Sequence, residues 1–208
     1  MTVFTTPCWR KLRRLFDRVL APVLLLWALA GASMASVEIE QWRVERQDSS
    51  LVLQVALKLE LGAAVEEALL KGVAVHFVAE AELMRDRWYW YDRKVAQTSR
   101  YYRLAYQPLT RQWRLQVSSE PLTAAGAGQS IAQSFDSLSA ALEVVRRQSG
   151  WRLAELADTE REARQYVVYR FRLDMSQLPR PFQIAAGNQA DWNLNVSRTQ
   201  RIAIEAGS

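Results

Sequence analysis

Three side chains on one predicted strand are the first candidates for chemistry. His76 is the single histidine of the chain, and Glu80 and Glu82 follow it on the same alternating face. At about 3.3 Å per strand residue, His76 and Glu80 stand roughly 13 Å apart, which is too far for a base and the carboxylate that orients it. We therefore predict that His76 lies on a solvated strand face without a catalytic partner.

The two glutamates raise the question of a carboxylate pair. The same rise separates Glu80 from Glu82 by about 6.6 Å, near the spacing of paired glycosidase carboxylates. Catalytic pairs need environments that drive their pKa values apart, whereas two neighbours on one exposed face have similar environments. We interpret them as part of a polar sheet face, and the alternative is a pair that acts on a glycan.

Four consecutive aromatic residues at positions 88–91 form the most unusual string of the chain. On a predicted strand over 88–95, the tryptophans point to one face and the tyrosines to the other. The structural interpretation is a tryptophan pair that lines the core and tyrosines that cover a sheet edge, and the alternative is a platform for a ligand or partner. Residues 92–94 then form a hairpin tip. The candidate binding surface comprises Glu80, Glu82, Trp88, Tyr89, Trp90 and Tyr91.

The sequence offers little other reaction chemistry. Cys8 is the single cysteine and precedes the apolar segment of the N-terminus, so the rest of the chain has no thiolate, disulfide or cysteine metal ligand. No glycine-rich turn between a strand and a helix is present to cradle a phosphate. We predict no catalytic residue, no metal and no cofactor, and hence a protein that is not an enzyme.

Residues 1–35 have the layout of a secretory signal. Basic residues between Arg10 and Arg18 precede an uncharged apolar run over 19–30, and the small residues Ser33 and Ala35 follow it. We predict cleavage after Ala35 and export to the periplasm. The alternative is a retained anchor in the inner membrane, which would then be the chain's membrane contact.

The positive charge of the chain is concentrated in this leader. Five of the 27 basic residues and one of the 22 acidic residues lie in 1–35, so the remainder carries 22 basic against 21 acidic residues. A remainder with a net charge of +1 gives no argument for nucleic-acid binding.

Apolar residues alternate with period two through most of 36–208, which we predict to be a single domain. We predict a mainly β (α+β) fold, an antiparallel β-sandwich-like domain of about eight or nine strands with two short helices. The helices are predicted at 63–71 and 134–149, the second capped by Ser134 and ended by Gly150. Strands are predicted at 37–47, 50–60, 73–83, 88–95, 99–107, 112–118, 151–157, 165–174 and 192–204.

Two prolines at positions 179 and 181 predict an extended connector over 178–182, since neither fits a central strand. We expect Leu178 and Phe182 to anchor this connector at the core edge. An exposed proline-rich ligand is the alternative. A final strand is expected to carry Trp192, Leu194 and Val196 on one alternating face.

Six strings follow one another along the chain: ALLKGV at 68–73, FVAEAEL at 77–83, RWYW at 87–90, YRLAYQPLTRQW at 102–113, LDMSQLPRPFQ at 173–183 and DWNL at 191–194. In this order they resemble the domain of unknown function 4390 family of proteobacteria over roughly 37–196. The resemblance implies an exported protein, and it implies no activity or catalytic residue. Similar genes tend to lie beside a nitrogen-regulation-type sensor kinase, which implies an envelope signalling accessory.

Three hypotheses for the function result from these observations. The first is a non-enzymatic periplasmic module that contacts an envelope or inner-membrane protein, with a sensor kinase as one such partner. The second is a glycan-binding or glycan-cleaving module that uses the aromatic string at 88–91. The third is a carrier that holds a lipid between its sheets.

Overall fold

Strands account for most of the fold. The computed structural model describes residues 35–87, 89, 91–122, 130–155, 164–187 and 189–202. All of these residues belong to one compact unit, Met34–Ser208. The strands within them are β1 Ser36–Gln47, β2 Ser50–Glu60, β3 Val75–Arg85, β4 Arg93–Gln107, β5 Gln112–Ser118, β6 Ser130–Phe135, β7 Arg147–Glu155, β8 Gln165–Leu173 and β9 Asn195–Ile202. The helices are α1 Ala63–Leu70, α2 Leu138–Arg146 and α3 Arg180–Ala186.

The strands form two antiparallel sheets. One has the order β1-β2-β7 and the other β6-β5-β4-β3-β8-β9. The prediction of a mainly antiparallel β domain of eight or nine strands is confirmed. Both predicted helices are present as α1 and α2, and α3 is additional. The predicted leader lies outside the described residues except for its last residue, Ala35, so it stays a prediction.

Aromatic rings fill the space between the sheets. Phe77 of β3 stacks on Phe171 of β8 with ring centroids 5.7 Å apart, and Tyr169 meets the edges of Trp42 and Trp151. The Tyr169 hydroxyl donates a hydrogen bond of 3.0 Å to the buried Gln148 side chain, so its polar atom is satisfied inside the core. These rings belong to the hydrophobic core that the two sheets share.

Helix α1 depends on a residue far along the chain. A carboxylate oxygen of Asp191 accepts a hydrogen bond of 3.2 Å from the Ala64 amide, one of the amides that lack a partner within the helix. Asp191 lies so close to Gly62 that a Cβ there would sit 2.5 Å from the Asp191 Cβ. Trp192 follows in a 3₁₀ turn and is buried.

Helix α2 is shorter than predicted at both ends. Ser134 belongs to β6, where it pairs with Arg114 of β5, and Ser137 caps the helix instead by accepting from the Ala140 amide at 3.2 Å. Gly150 has a positive φ of 59°, but it lies inside β7 near an irregularity of the β2–β7 register. The sheet ladders on both sides have thus replaced the outer turns of the predicted helix.

The segment after β8 corrects a prediction. Residues 178–182 are not an extended connector, because Pro179 is the N-cap of α3 and Pro181 lies in its first turn. Proline is tolerated there since the first amides of a helix have no intrahelical acceptor. The expected anchoring is present, with Leu178 buried and Phe182 packed against the core. Trp192 and Leu194 are buried as expected, although they precede β9.

Candidate interaction surface

Strand β3 lies in the middle of the six-stranded sheet, between β4 and β8. Its odd-numbered residues from Val75 to Leu83 are buried in the core. The intervening side chains, His76, Glu80 and Glu82 among them, therefore face away from the core, as the alternation predicts.

Glu82 is held between two cations from the flanking strands. One carboxylate oxygen accepts from Lys94 Nζ of β4 at 2.5 Å, and the other accepts from Arg170 Nη1 of β8 at 2.9 Å. The expectation of a solvated position is wrong for Glu82, which is buried. The hydrogen bond from Lys94 is the main reason that the pKa of Glu82 is lowered, with Arg170 also contributing and burial opposing.

Glu80 has a weaker arrangement of the same kind. Its carboxylate lies 3.8 Å from Arg172 Nη2 of β8, and the side chain is partly exposed. The two glutamates thus occupy different environments, contrary to the expectation of similar ones. Because Glu82, the more buried of the two, has a lowered pKa rather than a raised one, it does not suit the role of general acid in glycan cleavage.

His76 is partly buried rather than fully solvated. Its Nδ1 atom is buried and has no hydrogen-bond partner among the described residues. Burial first and the Arg103 guanidinium second lower the pKa of His76, while Asp174 opposes them. The imidazole is therefore not oriented by a carboxylate in the way that a general base requires.

The hairpin that joins β3 to β4 ends in a loop that Asp92 closes. One Asp92 carboxylate oxygen accepts from the Arg87 amide at 3.4 Å, and the other accepts from the Tyr166 hydroxyl of β8 at 2.5 Å. The second bond raises the pKa of Tyr166 to about 12, because ionisation of the phenol would remove the donated proton. The backbone is joined to the next strand as well, since the Asp86 amide donates to the Arg164 carbonyl at 2.9 Å.

Two residues of the aromatic string, Tyr89 and Tyr91, lie in this loop and not in a strand. Strand β4 begins at Arg93, which pairs with Arg85 at the end of β3, so the predicted strand is not formed at Tyr89, Tyr91 and Asp92. Tyr89 and Tyr91 occupy bends and are 85% and 95% exposed. The predicted core position of Trp88 and Trp90 concerns residues that lie outside the described ones.

The structure brings together residues that the sequence did not connect. Lys94, Asp92, Tyr166 and Arg170 hold the loop and the end of the hairpin. The sequence indicated Asp92 and Lys94 only as part of a hairpin tip over 92–94, whereas Lys94 lies in β4, and it did not single out Tyr166 or Arg170. The period-two pattern of β8 places Tyr166 and Arg170 on the outer face, so their orientation could have been predicted from the sequence. The adjacency of β3 and β8 depends on topology, and no local pattern carries it.

Comparison with known proteins places the chain in a family. The family described as "Domain of unknown function (DUF4390)" matches residues 34–202, which is most of the chain and includes every described strand. The chain belongs to this family. The resemblance inferred from the six strings is confirmed. No curated protein and no solved structure shows significant similarity to the chain.

Two further findings concern the described part of the chain. None of its helices has the length and apolar character needed to cross a membrane. None of its histidine, cysteine, aspartate and glutamate side chains form a group of three or more that could hold a metal ion.

Proposed function

We propose that this member of the family is an exported, non-enzymatic interaction module of the cell envelope. Its contact surface is the loop between β3 and β4 together with the braced end of the hairpin. The observation that carries the proposal is the near-complete exposure of Tyr89 and Tyr91 on a loop held by Asp92 and Tyr166. The signal-like leader at 1–35 supports export.

Exposed tyrosines on a braced loop suit protein recognition for two physical reasons. Tyrosine buries a large area with few rotatable bonds and keeps a hydroxyl for hydrogen bonding, so it is enriched among the residues that dominate interface energy. A loop that is already tied to β8 loses less conformational freedom on binding than a free one. Both effects favour a partner that covers Tyr89 and Tyr91.

The non-enzymatic part of the proposal rests on what the polar groups of β3 already do. Glu82 forms ion pairs with Lys94 and Arg170. Burial first and Arg103 second lower the pKa of His76, and its buried Nδ1 has no hydrogen-bond partner among the described residues. The Glu82 carboxylate and the His76 imidazole therefore suit a structural role better than proton transfer to a substrate.

The partner proposed is an envelope or inner-membrane protein. The family resemblance makes a nitrogen-regulation-type sensor kinase the first partner to test, because similar genes tend to lie beside the gene of such a kinase. Glycan binding is a second candidate, since exposed aromatic rings also stack on sugars. Glycan cleavage receives no support from the Glu82 environment.

The experiment is affinity purification from envelope fractions with a C-terminal tag, comparing the wild type with the double variant Tyr89→Ser, Tyr91→Ser. The matched control is Leu109→Ser, because Leu109 is equally exposed on the turn between β4 and β5. We expect an envelope protein that the wild type and the control retain and the double variant loses.

Two outcomes would overturn parts of this proposal. Retention of purified glycan strands by the same tyrosines, without any protein, would establish the glycan-binding alternative. A tag that protease cannot reach from the periplasmic side in spheroplasts would contradict export.

A further inference from the structure

The outer face of the six-stranded sheet carries an excess of positive charge. Six cationic side chains project from it, on four strands. Among the described residues they are opposed by the carboxylates of Glu80 and Glu82 on β3 and of Asp174 directly after β8. The remainder of the chain after residue 35 is almost neutral overall, so the charge is unevenly distributed. The six are Lys94, Arg103, Arg114, Arg170, Arg172 and Arg201.

Register brings the central cations into one stripe. Arg103 of β4 pairs with His76 of β3 on one side and with Gln116 of β5 on the other. Arg114 stands two residues before Gln116, diagonal to Arg103, and Arg172 of β8 stands diagonal to His76. With about 4.8 Å between neighbouring strands, the stripe crosses roughly 14 Å of the sheet. We call Arg114, Arg103 and Arg172 the arginine stripe.

The charge of this stripe is only partly balanced. Glu80 and Asp174 lie 3.8 and 3.9 Å from Arg172, whereas Arg103 donates to the neutral Gln116 side chain at 3.1 Å. Arg114 forms no ion pair with any residue in the described part of the chain. Like charges on neighbouring strand positions destabilise a sheet, and a partner that brings negative charge would relieve this repulsion. Burial is the main reason that the pKa of His76 is lowered, and the positive charge of Arg103 adds to this shift.

The identity of the cations favours a polypeptide over a lipid surface. Five of the six are arginine, whose planar guanidinium binds carboxylates through two parallel hydrogen bonds and which is enriched at protein interfaces, whereas lysine is depleted there. Surface binding to a bilayer also uses large apolar side chains that enter the interface. The exposed ones among the described residues lie off this face, on loops, helices and the opposite side of β6.

We infer that the arginine stripe is a docking site for an acidic segment of a protein partner, rich in aspartate or glutamate. The inference rests on the proposed interaction function and adds a second contact surface, with defined chemistry, to the loop that carries Tyr89 and Tyr91. The side chains of Gln116 and His76 lie beside the stripe and offer hydrogen-bonding groups to such a segment.

The test uses the full chain in neutral detergent and a fluorescent oligoglutamate peptide as the probe, with anisotropy as the readout. The stripe variant is Arg103→Glu, Arg114→Glu. The control is Arg43→Glu, Arg152→Glu, which makes the same change in net charge on exposed positions of the three-stranded sheet. Since Arg103 is partly buried, Arg114→Gln alone is a milder variant that preserves folding, checked by circular dichroism.

We expect the stripe variant to bind the peptide at least about tenfold more weakly than the wild type, because reversal replaces attraction with repulsion at both positions. The control should bind within about twofold of the wild type, and added salt should weaken binding. Equal losses in the stripe variant and the control would overturn the inference, because net charge alone would then account for binding. Absence of any peptide binding would overturn it too.

A parallel arm uses phosphatidylglycerol-containing vesicles in place of the peptide, with the chain reconstituted in zwitterionic vesicles as the reference. Preferential binding to the anionic vesicles that the stripe variant abolishes would assign the stripe to lipid and overturn a polypeptide site. The outcomes remain separable from the proposed function. A partner that depends on Tyr89 and Tyr91 while the peptide fails to bind removes the stripe inference alone.

Discussion

Replacing Glu82 with glutamine is expected to destabilise the protein by about 1–2 kcal/mol. The side chain of Glu82 is 11% exposed, whereas those of Lys94 and Arg170 are 46% and 49% exposed. Breaking a fully buried ion pair costs about 3–5 kcal/mol, and breaking an exposed one costs at most about 1 kcal/mol. Lys94 and Arg170 stay hydrated when Glu82 is replaced. The loss of stability should therefore lie between the two values and closer to that of an exposed pair.

The assay is thermal unfolding near neutral pH, with Glu80→Gln as the matched control on the same strand. At about 2–4 °C per kcal/mol for a domain of 150–250 residues, the melting temperature should fall by about 2–8 °C for Glu82→Gln. The control should change it by less than about 2 °C, because Glu80 has only the longer contact to Arg172.

Acid supplies an independent arm of the same test. The pKa of Glu82 is lowered in the folded state, so its stabilisation is complete above the unfolded-state value of 4.5 and is lost as the pH falls below it. The wild type and Glu82→Gln should therefore converge in stability as the pH falls from 4.5 through the lowered pKa of Glu82 in the folded state. A glutamine variant as stable as the wild type at neutral pH, or a difference that persists unchanged in acid, would refute this reasoning.

Three further changes have defined outcomes. Gly62→Ala places a Cβ 2.5 Å from the Asp191 Cβ, so it should displace the cap of α1 and cost about 1–3 kcal/mol in chemical denaturation, whereas an unchanged midpoint would contradict the close contact. Truncation after Asp191 removes Trp192, Leu194 and β9. Each buried side chain contributes about 1.5–3 kcal/mol against a total stability of ~5–15 kcal/mol, so the product should be insoluble or protease-sensitive. A folded product would show that the segment is dispensable. The pKa of Tyr166 is raised from 10.0 to about 12, so the stability that its hydrogen bond to Asp92 provides is complete below pH 10 and is lost as the pH rises through 12. Titration of tyrosinate absorbance in the wild type and in Tyr166→Phe measures this ionisation. Ionisation of Tyr166 near pH 10 would contradict the prediction.

Strands with one buried face were the most predictable part of this fold. In β2, β3 and β8 the alternation identifies the strand and its core-facing side chains, because a one-residue slip would move the whole apolar set into solvent. The strand prediction failed for Tyr89 and Tyr91, which precede β4. These residues have high strand propensity, but β4 already extends to Arg93 opposite Arg85, and nothing on β3 remains for Tyr89 and Tyr91 to pair with.

Helix α3 and the ion pairs of Glu82 with Lys94 and Arg170 could not be predicted from the sequence, because a local pattern does not contain the contacts that determine them. Two prolines in five residues suit an extended segment as well as a first helical turn. The Gln183 side chain donates to the Ser176 and Leu178 carbonyls, and these hydrogen bonds help to stabilise the helix. The burial of Glu82 depends on Arg170, which lies 88 residues later and is brought near by the pairing of β3 with β8.

Site-specific photo-crosslinking at position 91 tests the central claim most directly. A photoreactive residue replaces Tyr91 in the full chain within living cells, and the same residue at Leu109 serves as the control, since both positions are almost fully exposed. The proposed function predicts a discrete adduct with one envelope protein from position 91 and none from position 109. Adducts that are absent from both positions, or identical at both, would contradict an interaction surface at the hairpin loop.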